Sequence, residues 1–276
     1  MPAPIRITIT AVLCVLFFFA VVASFFVISD EIAHSLARTV PSYAMQDISA
    51  VLDKEQWTDE DYDFLYHQTG LSASALDEYR DNKNFILGCQ SDLFYDGEVQ
   101  HDAANFGSSH DYFPDRLFNM VNLRPGDVLI SSSVHTLGWR NGHAALVLNS
   151  TRTLQAITIG VPSRVQGTVW FREASNFMVL RPVGIDAEII EDIINYAWNN
   201  LVNVEYSLFT GVFNAKNQAD DPQTTQCAHL VWQAYMAFGY DIDSDGGPVV
   251  TPKDIANSPY FEVIQVNGFD PDKLWH

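Results

Sequence analysis

The chain reads as α+β on three observations. Short β-branched or aromatic segments cluster after Pro125-Gly126, helical patterns stand before and after them, and a long apolar run opens the chain. The 276 residues are 47% hydrophobic and 18% charged, which excludes a disordered or fibrous protein. They suffice for one large domain or two small ones. Against 15 Lys and Arg stand 34 Asp and Glu, a net charge of −19. Such a field repels phosphate backbones, so no nucleic-acid partner is expected.

The apolar run comes first. From Ile7 to Ser29 no residue is charged, and Arg6 is the only side-chain cation before it. A bilayer-spanning helix needs about 20 apolar residues, whereas the apolar core of a secretory signal is usually shorter, about 7–15. Residues 1–29 are therefore expected to be an uncleaved membrane anchor. Removal at Val27-Ile28-Ser29, giving a secreted protein, is the alternative. Cys14 lies inside the run, not at its end, which argues against a lipoprotein anchor. The positive-inside tendency keeps Arg6 in the cytoplasm and puts the acidic bulk outside. The expected protein is single-pass, with an extracytoplasmic C-terminal domain.

Residues 30–121 form a helical and irregular segment, starting as a juxtamembrane stalk over 30–55. Thr58-Asp-Glu-Asp61 has the form of a capping box and predicts a helix through Tyr66, ended by Gly70; Ser72–Arg80 predicts a second. Residues 81–122 are rich in Asp, Asn, Gly and aromatics and show no period. From 122 to 276 the pattern is that of one domain. Asp127–Ser132, His143–Asn149, Thr153–Ile159 and Asn176–Val183 read as strands of an antiparallel meander. Asp186–Val202 carries Ile189, Ile190, Ile193, Ile194, Ala197, Trp198 and Leu201 at helical spacing. Cys227–Phe238 is apolar nearly all round, as in a buried helix, and Phe261–Val266 is a last strand. Grouped strands with helices on one side complete the α+β prediction.

Three cysteines (Cys14, Cys89 and Cys227) are too few for a disulfide framework. Cys227 opens the buried helix, where free backbone N–H groups and the helix dipole favour a thiolate nucleophile. A lone cysteine on an apolar helix is more often just a small buried hydrophobe. A nucleophile needs a base, and His143, directly after Gly142 at a strand start, leads over His110, His135 and His229. His135 falls in a loop-like stretch, and His229 stands only two positions from Cys227. Gln155, on the next strand, could orient the imidazole or could simply face solvent.

These residues carry a resemblance. GDVLISSSVHTLGWRNGHAALVLN, then LQA with Gly160, then TQCAHLVWQAY with TPKDIANS resemble the circularly permuted papain-like hydrolases. The branch is the YiiX/YebB-like one of the NlpC/p-sixty superfamily, and the likeness covers roughly residues 122–266. It implies a permuted papain-like fold, an antiparallel sheet against a Cys-bearing helix, with Cys227 as nucleophile and His143 as base. Gln155 takes the third polar position, usually acidic in the relatives; a neutral amide stabilises imidazolium less than a carboxylate. Tyr206 takes the place of an aromatic lining the cleft. The Cys227 N–H is the expected oxyanion donor, with Gln226 as helper, and Trp139 and Arg140 are further candidates for substrate contact.

The implied activity is that of a bacterial extracytoplasmic cysteine hydrolase cleaving an amide bond, in a cell-wall (peptidoglycan) peptide, through an acyl thioester. The alternatives are a lipid or acyl-ester hydrolase or acyltransferase of the same fold, for which an exposed apolar cleft rim would argue, and a non-catalytic envelope binding protein. No cofactor and no catalytic metal are expected, since CxxC and HExxH are absent. Asp241-Ile-Asp243-Ser-Asp245-Gly246 opens like a calcium loop, but Pro252 stands where an EF-hand needs Glu.

Overall fold

The computed structural model describes residues 3–103, 108–136, 138–218 and 220–274. The chain runs through five helices first: α1 (Ala3–Ser35), α2 (Ser49–Leu52), α3 (Asp59–Thr69), α4 (Ala73–Glu78) and α5 (Lys83–Leu93). Strands β1 (Gln100–Ala103), β2 (Ser108–Tyr112), β3 (Val128–Ser131), β4 (Val134–Thr136), β5 (His143–Asn149), β6 (Arg152–Gln155) and β7 (Arg164–Gly167) follow. Then come α6 (Val169–Glu173), β8 (Phe177–Pro182), α7 (Ala187–Asn200), β9 (Glu205–Tyr206), β10 (Thr224–Thr225), α8 (Cys227–Met236), α9 (Pro252–Ala256) and β11 (Phe261–Asn267). The class is mixed α+β with antiparallel main sheets, and α1 is long and apolar enough over Val12–Ser35 to cross a membrane.

Local chemistry sets the helix ends. Thr58 and Asp61 exchange side-chain-to-backbone bonds in a complete capping box at α3. The helix runs three residues past Tyr66, to Thr69, before Gly70 closes it at φ 70°. Ser72 and Asn82 cap α4 and α5 through their side chains. The aperiodic stretch 81–122 thus holds α5, β1 and β2. The expected strand Thr153–Ile159 is shorter, ending at Gln155.

The meander expectation needs correction. The main sheet has the order β11-β8-β3-β5-β6-β7, so β8 crosses over to lie between β3 and β11. Burial gives the reason. The first four residues of β8 are buried, so both faces of that strand need cover. In β7 the four residues are exposed or half-buried, which suits an edge. Helices also cover both faces of the sheet instead of one. Val128, Ile130, Ala144, Leu146 and Leu180 pack with α7 and α8, while Leu129, Ala145, Val147 and Val179 pack with α3 to α5.

The stalk expectation is also corrected. Ala33 and Ala37 are buried, and Arg38 donates to the carbonyls of Tyr95 (2.9 Å) and Ser175 (2.7 Å). Gly138, with φ 80°, sits against Ser29 so tightly that an added Cβ would lie 2.2 Å from the serine Cβ. The end of α1 is thereby seated on the domain.

Gly70 is clamped as well: a Cβ there would lie 2.2 Å from the Val266 carbonyl oxygen, on β11. Gly70→Ala is expected to lower stability by about 2 kcal/mol or more, from backbone strain and the clash. Thermal unfolding of the full chain in detergent measures it, and an unchanged Tm would mean that the turn shifts freely off β11.

Candidate active site

A cavity of about 310 Å³ opens at the start of β5, and both Cys227 and His143 line it. Cys227 is placed by α8, which packs on β5, with Ala144 and Ala228 both buried in the core that the two elements share. The N-cap of α8 is Gln226: its Oε1 accepts from the Ala228 N–H at 2.8 Å and from the Cys227 thiol at 3.4 Å. Burial pushes the Cys227 thiol above its ordinary value, opposed by the backbone N–H groups of Ala144, Ala228 and Cys227 itself.

His143 lies on the rim of Phe171 and Trp170, its ring near-parallel to the first (5.7 Å) and edge-on to the second (5.1 Å). Its Nε2 is 2.8 Å from Gln155 Oε1. The polarity of this contact follows from a chain of bonds. Thr153 donates its hydroxyl to the Gln166 carbonyl at 3.4 Å, and Gln155 Nε2 donates to the Thr153 oxygen at 2.6 Å. Gln155 Oε1 is therefore the acceptor, His143 Nε2 carries the proton, and Nδ1 is the basic nitrogen. Burial pulls the imidazole down to about 4, with the Gln155 bond acting against it. Thiol and imidazole are thus both neutral near pH 7. No hydrogen bond joins Cys227 to His143 among the described residues; the thiol proton rests on Gln226.

Tyr206 reaches the cavity because β9 pairs with β10, the strand that leads into Cys227. Gln226 does not reach it. Its Nε2 donates to the Val250 carbonyl at 2.5 Å, so it positions Cys227 instead of helping an oxyanion. Trp139 and Arg140 are not cavity-lining residues either. Trp139 is 67% exposed beside the Gly138–Ser29 contact, and Arg140 is turned inward, bound to the carbonyls of Ala33 and Ser132 and to Asp111. A guanidinium pulled out of water needs such acceptors, and α1 supplies one.

Of the other histidines, His229 bonds Thr225 (3.0 Å) and the Lys216 carbonyl (2.7 Å), away from His143. His135, expected in a loop, is fully buried on β4. The calcium-like turn brings Asp243 and Asp245 near Asp254, but the ammonium of Lys216 pairs with Asp243 and bonds the Gly247 carbonyl at 2.7 Å. A side-chain cation thus stands against that carboxylate. His110, a competing candidate for the base, does line the cavity, and sequence reasoning missed Trp170, Ile157, Ile159 and Leu208, which line it too. Ile157, Ile159 and Leu208 are 41%, 43% and 45% exposed, so the rim is apolar and open to solvent. Comparison with protein-family models, with curated proteins and with solved structures finds no match to this chain.

A neutral, buried thiol alkylates slowly. Modification of the Cys227 peptide by iodoacetamide, followed by mass spectrometry, is expected to lag free cysteine (pKa about 8.5) at pH 7 and to accelerate only in more alkaline solution. Fast reaction at pH 6 that His143→Ala abolishes would instead mean a resting thiolate–imidazolium pair.

Proposed function

We propose that this chain is a membrane-anchored thiol hydrolase of the permuted papain-like plan, acting outside the cytoplasm through Cys227, His143 and Gln155. The carrying observation is the relay from Thr153 through Gln155 to His143, which leaves Nδ1 as the base in a cavity that Cys227 also lines. In the proposed reaction the Cys227 proton passes to His143 Nδ1 as sulfur bonds to the substrate carbonyl carbon. The oxyanion is stabilised by backbone N–H groups at the start of α8. His143 returns the proton to the leaving group as its bond to carbon breaks, leaving an acyl thioester. Water, deprotonated by His143, then releases the acid and restores the thiol.

The rim bears on the choice of substrate. Ile157, Ile159 and Leu208 favour an acyl chain over a polar peptide. The membrane helix points the same way, since Ser29 meets Gly138 while Thr136 and Asn141, on either side, line the cavity. A lipid or acyl ester is therefore the proposed substrate class, ahead of the amide of a cell-wall peptide. A binding protein without activity is the reading that remains if Cys227 never acylates.

The test is a chain-length series of nitrophenyl acyl esters beside a peptidoglycan stem peptide, with intact-mass detection of acyl-Cys227. Longer acyl chains are expected to react faster, and Cys227→Ser and His143→Ala to lose at least about 10³-fold. Gln155→Ala should cost about 10²-fold with binding little changed. Gln155→Glu should move the acidic limb of the pH profile upward, because a carboxylate favours imidazolium. Turnover of the peptide alone would restore the amidase reading, and no adduct from either would leave only the binding protein.

A further inference from the structure

A second polar cluster lies where α1 leaves the apolar run. Asp30, its first acidic residue, meets His101 of β1 and His135 of β4. His101 Nε2 is 3.1 Å from Asp30 Oδ2, and His135 Nδ1 is 2.9 Å from Asp30 Oδ1. On their far sides both rings face one carboxylate: His101 Nδ1 is 3.2 Å and His135 Nε2 3.4 Å from Asp111. The two rings stack with centroids 5.2 Å apart at 20°.

One atom in this cluster is out of place for a hydrogen-bonded network. His135 is fully buried, yet its Nδ1 makes no hydrogen bond, although the Asp30 oxygen is only 2.9 Å away. The nitrogen lies off the line that a hydrogen bond requires. An unsatisfied buried ring nitrogen is costly unless something else takes its lone pair.

We propose that Asp30, His101 and His135 bind one divalent transition-metal ion of the zinc class, with Asp111 accepting the second ring N–H of both histidines. The donor atoms of Asp30, His101 and His135 all lie within 4.8 Å of one another, with His101 Nε2 3.1 Å from Asp30 Oδ2 and His135 Nδ1 2.9 Å from Asp30 Oδ1. Zinc bonds of about 2.0–2.1 Å at tetrahedral angles set neighbouring donors about 3.3 Å apart, within reach of small side-chain adjustments. A carboxylate behind each ligating imidazole is the usual way such rings are oriented and made more basic. Imidazole with carboxylate suits zinc and its neighbours better than calcium or magnesium. Ser109 Oγ donates toward Asp30, 3.3 Å from both carboxylate oxygens, and helps hold that ligand in place.

The alternative triad, His34, His101 and Asp111, shares His101 but is less suited. Asp111 already accepts from His34 at 2.6 Å and faces Arg140 at 3.1 Å. It is a satisfied anion that serves the histidines, not an open ligand. The ion would join three segments distant in sequence. Since Val134 and Thr136 of β4 line the large cavity, it would tie the membrane helix to the cavity wall.

The full chain in detergent, stripped with a chelator and reloaded with Zn²⁺ or Co²⁺, tests this. One equivalent of zinc is expected to survive desalting and to raise Tm. Cobalt should give tetrahedral d–d absorption without a thiolate charge-transfer band, which separates this site from Cys227. Asp30→Asn and His135→Gln should each weaken binding at least about tenfold. Asp30, 29% exposed, carries the test should His135→Gln not fold. Zinc well below one equivalent in the wild type, a thiolate band, or undiminished binding in Asp30→Asn would overturn the proposal.

Discussion

The packing of α8 directly on β5 is the constraint on which the rest of the site depends. Ala144 on β5 and Ala228 on α8 are both fully buried and carry no more than a methyl group, which lets helix and strand approach closely. The Ala144 N–H then faces the Cys227 sulfur together with the two amides of the helix start. A larger residue at either alanine would lift the helix off the strand and take the sulfur out of reach of that amide. The same closeness buries the thiol and keeps it protonated at rest. Catalysis of the proposed kind then rests on proton transfer during attack, with Gln226 holding the thiol until a substrate arrives.

How much of this the sequence disclosed depends on what each segment buries. β5 and α8 bury apolar faces, so the strand His143–Asn149 and the start of the helix at Cys227 were legible from pattern, although the helix ends at Met236 and not at Phe238. The crossover of β8 was not, because four strands in a row look the same whether or not the last returns beside the first. β1, β2 and β4 escaped for a different reason. Their sequences QHDA, SSHDY and VHT have almost no hydrophobic alternation, since that small sheet is held by His101, His135 and Asp111 around Asp30. A periodicity of apolar residues cannot reveal strands whose inner face is polar. Trp170 was missed because α6 is only five residues long.

The reassignment of Arg140 shows why a residue type next to a candidate base is weak evidence by itself. The loop before His143 does border the cavity, at Thr136 and Asn141, but Arg140 turns toward Ala33, Ser132 and Asp111. A guanidinium has five donors, and the Ala33 carbonyl at the helix end, which accepts from the Leu36 N–H at 3.1 Å, has a second lone pair for it. The side chain therefore fastens α1 to the domain. Arg38 does the same with the carbonyls of Tyr95 and Ser175.

Charge and burial together bear on the proposed substrate. With 15 basic and 34 acidic residues, the net charge of −19 disfavours the approach of a ligand rich in carboxylates, such as a cell-wall stem peptide. An acyl chain brings no charge to be repelled. Its entry would expel water from a cavity where Cys227 and His143 are already neutral, so no ion pair loses its solvation on binding. Charge would then appear only as sulfur bonds to carbon, when the backbone amides face the oxyanion and Gln155 faces the imidazolium. An apolar rim, a neutral resting pair and a helix long and apolar enough to span a membrane, its end seated beside the cavity, are three separate features of this chain. Each favours the same kind of substrate, one that reaches the thiol from the lipid side.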